Sequence, residues 1–251
     1  MRRVALVSDI HGVVGALDAV LTATEENECA EVWCLGDIVG HPGGNPFECV
    51  QIVEERCSVV VKGNHDAGVL GEVPLSDFAG TPAAKTALER ARAELDGHPQ
   101  RAKLRAYLRA LPLEVVLETR AGPMLLVHAS PVDPLWHDVR GEDDYRRAFS
   151  AAPRALLVLG GHTHVSSSCV RTGNGRFDHA AGHDLLSDGI GISRGAWTFA
   201  NPGSVGAPTN AERHAEWAIL TLDETGTPVQ LDWRRTPVRN LAPKRGRCEG
   251  G

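Results

Sequence analysis

Apolar runs and polar punctuation alternate along this chain. VALV at 4–7 leads into SDIHG, and Leu17, Val20 and Leu21 then fall at the spacing of one helical face. The pattern returns at once. EVWCL at 31–35 leads into GDIVG, and Pro46 opens a second helix in which Phe47, Val50 and Val53 share a side. A third run, SVVV at 58–61, ends in KGNHD. Residues 74–111, rich in Ala, Arg and Glu, read as helical with a break near Gly97 and Pro99; the stripe Leu104, Tyr107, Leu108 and Leu111 stops at Pro112. LEVVLE and MLLVHASP read as adjacent strands around a turn at Gly122-Pro123, EDDYRRAFSA as a short helix, and ALLVLGGHTH as a further strand and loop. The remainder is mostly strand, with a Gly-rich hairpin or loop across 171–196 and a disordered tail at about 244–251.

This alternation predicts an α/β fold with an at least partly parallel sheet, in which function gathers beyond the carboxyl ends of the strands. No repeat, low-complexity block or clear linker interrupts the 251 residues, so one domain, 1–251, is expected. Composition narrows the partners. A net charge of −6 argues against a general nucleic-acid binder, and no apolar run approaches the roughly 20 residues of a membrane helix. The apolar stretch at 4–7 is too short for a signal peptide. Six scattered cysteines without a Cys-x-x-Cys pair suit reduced thiols, so a cytoplasmic protein is expected.

Five apolar runs end in side chains that can hold a metal: Asp9 and His11, Asp37, Asn64 and His65, His128, and His162 with His164. Taken singly, Asp9-x-His11 reads as a capping turn, Gly36-Asp37 as a common turn and His128 as a strand-end histidine. Five successive strand ends delivering Asp, Asn or His are a different matter. The donors mix nitrogen and oxygen and include no thiolate, which suits Mn, Fe, Zn, Co or Ni and fits neither a thiolate-rich structural zinc nor an all-oxygen calcium cage. Seven candidate ligands exceed the needs of one four-coordinate ion, whereas two ions sharing a carboxylate use them all. A metal pair about 3.5–4 Å apart is the standard arrangement for displacement at phosphorus, with a bridging hydroxide attacking in line. The chemistry therefore points to hydrolysis of a phosphate ester.

DIHG, GDIVG, GNHD, VHASP and GGHTH stand in the order of the calcineurin-like metallophosphoesterase family, which this sequence resembles. GDIVGHPGGNPFECV, LLVHASPVDPLW and NPGSVGAPTN extend the resemblance, over about residues 1–222, to the small prokaryotic phosphodiesterase branch. It implies a double β-sandwich flanked by helices, a four-layer αββα fold, with a helical cap insertion at about 74–111 that reads equally as a lid or as a packing insertion. It also implies two divalent ions, Mn²⁺ foremost, with Fe, Zn, Ni or Co as alternatives. Asp9, His11 and His164 would hold the first, Asn64, His128 and His162 the second, and Asp37 would bridge. His65 would stabilise the transition state or protonate the leaving oxygen, with Asp66 orienting its ring.

The sequence departs from the branch at two places. His41-Pro42 stands where an aromatic Tyr is usual, and Ala207-Pro208-Thr209 where Gln-Pro-Arg is usual. His41 is therefore a candidate substrate contact, and Arg213 or Lys62 a candidate replacement for the missing arginine. The expected substrate is a small phosphorylated molecule such as a phosphodiester, a nucleotide or a dinucleoside polyphosphate. Tyr107, Trp136 and Phe47 are candidates for a base pocket. Two other readings stand beside this one: a phosphoprotein phosphatase, and a catalytically silent metal-binding scaffold. Silent relatives typically lose the acid histidine or several ligands, all of which this chain keeps. The Ser/Thr phosphatases end their third motif in Glu and precede it with Arg, where this chain has Asp66 and Lys62. Oligomeric state is open.

Overall fold

Both faces of the first strand are buried. Ala5 and Val7 point into one apolar cluster and Val4 and Leu6 into another, as the two-residue period of a strand requires. The computed structural model describes residues 1–40, 44–78, 82–186 and 189–238. In chain order, β1 (Arg2–Val7), α1 (Val14–Glu26), β2 (Glu31–Cys34), α2 (Pro46–Arg56), β3 (Val59–Val60) and α3 (Asn64–Leu70) come first. A short 3-10 turn at Leu75–Phe78 then leads to α4 (Pro82–Gly97) and α5 (Arg101–Ala110). Next are β4 (Glu114–Leu117), β5 (Met124–Val127), α6 (Glu142–Ala151), β6 (Leu157–Leu159), β7 (Ser167–Arg171) and β8 (Phe177–Ala181). The last strands are β9 (Ile190–Gly191), β10 (Trp197–Asn201), β11 (Ala215–Leu222) and β12 (Pro228–Thr236).

These strands form two mixed sheets, in the orders β3-β2-β1-β11-β12-β9 and β4-β5-β6-β10-β7-β8. β1, β2 and β3 are parallel, so α1 and α2 serve as the crossovers that parallel neighbours need. α2 starts where the sequence predicts: Asn45 accepts from the Glu48 N–H at 3.2 Å, and Pro46 presets the first turn. β11 returns antiparallel beside β1, pairing Arg2 with Leu222 and Leu6 with Ala218.

Val4, Leu6, Trp33 and Leu35 of the first sheet meet Met124, Leu126, Leu157 and Leu159 of the second. The opposite faces are also covered. Ala5, Val7, Val32 and Cys34 pack under helices, and Val127 and Val158 pack with Tyr145 and Ala148 of α6. The layers run helix, sheet, sheet, helix, so the expected sandwich is the observed one.

The insertion packs as part of the core. Leu88 and Leu95 of α4, with Leu104 and Leu108 of α5, are fully buried in the cluster that also holds α1 and α2. Lifting four leucines into water costs on the order of 6–12 kcal/mol, comparable with the whole stability of a domain. Of the two readings for 74–111, packing is the one these helices satisfy; residues 79–81 lie outside the described residues. Of the hairpin or loop expected across 171–196, the structure shows the β7–β8 hairpin, followed by a 3-10 turn at Gly182–Leu185 and β9. The tail expected to be disordered lies outside the described residues.

Candidate active site

The loops that follow β1, β2, β5 and β6 and the first turn of α3 converge at one edge of the sandwich. Backbone bonds zip the first two loops together: the Asp9 N–H donates to Gly36 O at 3.0 Å, and that of His11 to Asp37 O at 2.9 Å. From the far end of the chain, Ser204 Oγ and the Gly206 N–H both donate to Asp9 O. The conformations are unusual. Among the described residues, seven non-glycine residues have positive φ, and five of them are Asp9, His11, Asp37, His162 and His164, at 52–66°. L-residues pay for that conformation, and such strain concentrates at functional sites.

Their side chains meet. His11 Nε2 and His164 Nε2 are 2.9 Å apart, and His164 Nε2 is 3.3 Å from Asp9 Oδ1. His128 Nε2 lies 3.1 Å from Asn64 Oδ1 and 3.5 Å from Asp37 Oδ2, which His11 Nε2 approaches at 3.8 Å. Three groups have donor atoms within 4.8 Å of one another: Asp9–His11–His164, His11–Asp37–His65 and Asp9–Asp37–His128. His162 stands outside all three, though its ring is 5.1 Å from that of His128 and its main-chain N–H donates to Asp9 Oδ2.

Each inner imidazole is oriented from behind. The Nδ1 atoms of His128, His164 and His11 face the carbonyls of Leu35 at 2.8 Å, Ala207 at 3.1 Å and Val39 at 3.3 Å. A carbonyl only accepts, so Nδ1 carries a proton in each ring, and Nε2 is the inward nitrogen that can serve a metal once it has shed any proton of its own.

The electrostatics explain what such a site can hold. Asp9 and Asp37 are buried, and no Lys or Arg pairs with either among the described residues. Burial raises the Asp9 carboxyl, but His164 and His128 outweigh it and hold it down at about 2. Burial likewise opposes ionisation of Asp37, and His128 and His65 pull it well below the usual range. In exchange, Asp37 lifts His128 to about 9 against its own burial. Two buried carboxylates facing imidazole Nε2 atoms, with no Lys or Arg beside them among the described residues, suit divalent transition metals, which would displace the ring protons.

His65 sits beside this set. Its main-chain N–H donates to Asp37 Oδ1 at 2.9 Å, its ring packs edge-on against His11, and its buried Nδ1 has no hydrogen-bond partner. Burial lowers its pKa. The expectation that Asp66 orients this ring does not hold. The Asp66 carboxylate accepts from the N–H groups of Asp37, Ile38, Val39 and Gly63 at 2.9–3.2 Å, and so fixes the Asp37 loop to the start of α3. Burial and the neighbouring Asp37 push its carboxyl up to about 7.

A cavity of about 420 Å³ opens over the donors, with Phe78, Trp136, Asp138 and Arg140 on its wall. Aromatic rings follow one another around it: His65 to Phe78 at 5.1 Å, Phe78 to Trp136 at 4.9 Å, and Trp136 to His162 at 6.4 Å. Of the proposed base-pocket residues only Trp136 is on this wall. Phe47 stacks on His98, and Tyr107 packs against the helical core. Arg213 does not line the cavity, and Lys62 is buried in an ion pair with Glu72 at 2.8 Å. His41 lies outside the described residues. Sequence reasoning missed Phe78, Asp138 and Arg140, which carry no periodic signal.

Fold and site together define a two-sheet phosphoesterase with an edge site rich in Asp and His. The chain belongs to the calcineurin-like phosphoesterase superfamily, whose domain matches residues 2–225, and it is a metal-dependent phosphoester hydrolase. It is 30% identical over 229 residues to an uncharacterized protein of Methanocaldococcus jannaschii, covering 91% of this chain and 85% of that one. The crystal structure of a metallophosphoesterase from Sphaerobacter thermophilus is similar at 27% identity and a TM-score of 0.72, over 95% of this chain and 89% of that one. A hypothetical protein of Pyrococcus horikoshii shares the fold at 19% identity and a TM-score of 0.68, with the same coverage. No helix among the described residues is long and apolar enough to cross a membrane.

Proposed function

We propose that the protein hydrolyses a small phosphodiester or nucleotide-type phosphoester at two divalent ions. Asp9, His11 and His164 would hold one ion, Asn64, His128 and His162 the other, and Asp37 would lie between them. The observation that carries this reading is the pair of buried carboxylates, Asp9 and Asp37, ringed by inward Nε2 atoms and lacking any Lys or Arg partner among the described residues. Such ions, when bound, supply Lewis acidity at phosphoryl oxygens and lower the pKa of water. Mn²⁺ is the first choice, and the donor set equally accommodates Fe, Zn, Ni or Co.

The chain's own groups do the rest. His65, whose pKa burial lowers, would take a proton from solvent water when an anionic phosphoryl group arrives beside it, and pass that proton to the leaving oxygen. Asp66 keeps the Asp37 loop and His65 in register through its four backbone bonds. The narrow, ring-walled cavity favours a small substrate over a phosphoprotein.

The test is turnover by metal-stripped protein reloaded with Mn²⁺, run beside Asp37→Ala. The panel would hold a chromogenic monoester, a chromogenic diester, a cyclic nucleotide, a dinucleoside tetraphosphate and a phosphopeptide. Metal-dependent diester or nucleotide hydrolysis, lost in the variant, supports the reading. No turnover despite two bound ions per chain sinks it in favour of a binding scaffold, and preference for the phosphopeptide replaces the substrate class.

A further inference from the structure

His162 breaks the pattern of the other imidazoles. Those three turn Nδ1 outward to a carbonyl, whereas His162 presents Nε2 to a carboxylate, Asp138 Oδ1, at 3.2 Å. That leaves Nδ1 as the nitrogen free for a ligand. The second oxygen of the same carboxylate, Asp138 Oδ2, accepts from Arg140 Nε at 2.7 Å.

The loop bearing both residues is anchored at each end. Ser130 Oγ and His137 Nδ1 are hydrogen-bonded at 2.8 Å near its start. Asp144, in the first turn of α6, accepts the main-chain N–H of Arg140 at 3.1 Å and of Gly141 at 3.2 Å. Arg140 is the only Lys or Arg among the described residues that line the cavity, where Asp37, Asp77 and Asp138 are the carboxylates. With Nε held by Asp138, the two terminal nitrogens of its planar guanidinium remain for an anion, the geometry that suits a phosphate oxygen pair.

We infer that Arg140 is the residue that grips a phosphate oxygen of the substrate. Asp138 is a positioning residue that sets both Arg140 and the metal-facing nitrogen of His162. This deepens the proposed function and rests on it. One carboxylate ties substrate recognition to metal binding, because moving it disturbs both. Arg140 supplies in this cavity the cation that neither Arg213 nor Lys62 provides.

Two variants separate these roles. Calorimetric titration of metal-stripped full-length protein with Mn²⁺ reads the first. Asp138→Ala should weaken binding of one Mn²⁺ about 10-fold to 100-fold, and Asp138→Asn should recover part of that because its amide oxygen still accepts from His162. Inhibition of the Mn²⁺-loaded enzyme by inorganic phosphate reads the second. Arg140→Met should raise the phosphate Ki and the diester KM about tenfold at unchanged Mn²⁺ affinity, with Arg140→Lys in between. Wild-type Mn²⁺ affinity in Asp138→Ala, or a wild-type phosphate Ki in Arg140→Met, overturns the inference. A wild-type protein that binds Mn²⁺ yet hydrolyses no phosphoester overturns the proposed function and the Arg140 assignment with it, while the calorimetry still decides the role of Asp138.

Discussion

The Nε2 atoms of His11 and His164 stand 2.9 Å apart although 153 residues separate them in sequence. Each ring turns its Nδ1 toward a carbonyl, so both Nε2 atoms point at one place beside the Asp9 carboxylate. A cation bound there would offset the two buried carboxylates, Asp9 and Asp37, that flank them. Saturating divalent metal should therefore stabilise the fold strongly: at 100 times Kd each site adds about 2.7 kcal/mol, or about 5–10 °C in melting temperature. Differential scanning fluorimetry with and without Mn²⁺ checks this, and a midpoint indifferent to metal would contradict the site.

Asp66 is a structural prediction in itself. Replacing it by Ala strands four backbone N–H groups, those of Asp37, Ile38, Val39 and Gly63, in a buried loop. At about 1–3 kcal/mol for each of the four unsatisfied groups, the cost is at least about 4 kcal/mol. The melting temperature should fall by about 8–16 °C, and Mn²⁺ should bind more weakly because the Asp37 loop loses its anchor. Unchanged thermal stability in Asp66→Ala would refute this role.

Gly40 explains how tightly His65 is held. It has φ +111°, and a methyl group built on it collides with His65 Nδ1. Gly40→Ala should displace the ring and lower kcat about 10²- to 10⁴-fold, the scale of a lost general acid, while bound metal stays at the wild-type level. His65→Ala should match it. Elemental analysis beside steady-state kinetics decides the matter: loss of metal along with activity would assign Gly40 to the metal site instead.

A pH dependence follows from His128 in the metal-stripped protein. Asp37 raises its folded pKa to about 9, above the ordinary 6.5. The protonated ring therefore contributes stability that is complete below pH 6.5 and is lost as pH rises through about 9. Melting temperature should fall across that window, and His128→Asn should flatten the fall. Mn²⁺ affinity should climb over the same range, because the ligand must shed its proton. A flat profile in the stripped wild-type protein would count against the Asp37–His128 pair.

The donors were legible because each follows an apolar run short enough to be a strand and ends it in a side chain that no core needs. VALV before Asp9 and SVVV before Asn64 gave both the strand and the address of its end. The two-layer arrangement was not readable from these runs: β1 is apolar at 4, 5, 6 and 7, so the pattern says that both faces are buried and not what covers each. β8, reading FDHAA, rests on its hairpin partner β7, and the two-residue β9 on the distant β12; neither has much apolar signal of its own. Asp66 was misread for a related reason. Its place after His65 suggested a neighbour's task, while its acceptors reach back to the loop of Asp37. Asp138 and Arg140, polar and half or more exposed, look like any loop residues until His162 is folded against them.

The pairing of Arg2 with Leu222 also sets an order of events during synthesis. β1 emerges first, yet the strand that covers its free edge lies about 220 residues later, which at ribosomal speed is on the order of 10–40 s. Over that interval the nascent first sheet carries an open edge, a template for wrong partners. The carbonyl of Asp9 likewise waits for Ser204 and Gly206 before its loop is closed. The second sheet, built from residues between 114 and 201, has no such wait. The edge that carries the candidate site is therefore among the last parts of the molecule to be finished, and a chain stopped just before β11 would hold all seven candidate metal ligands and no fixed place for them.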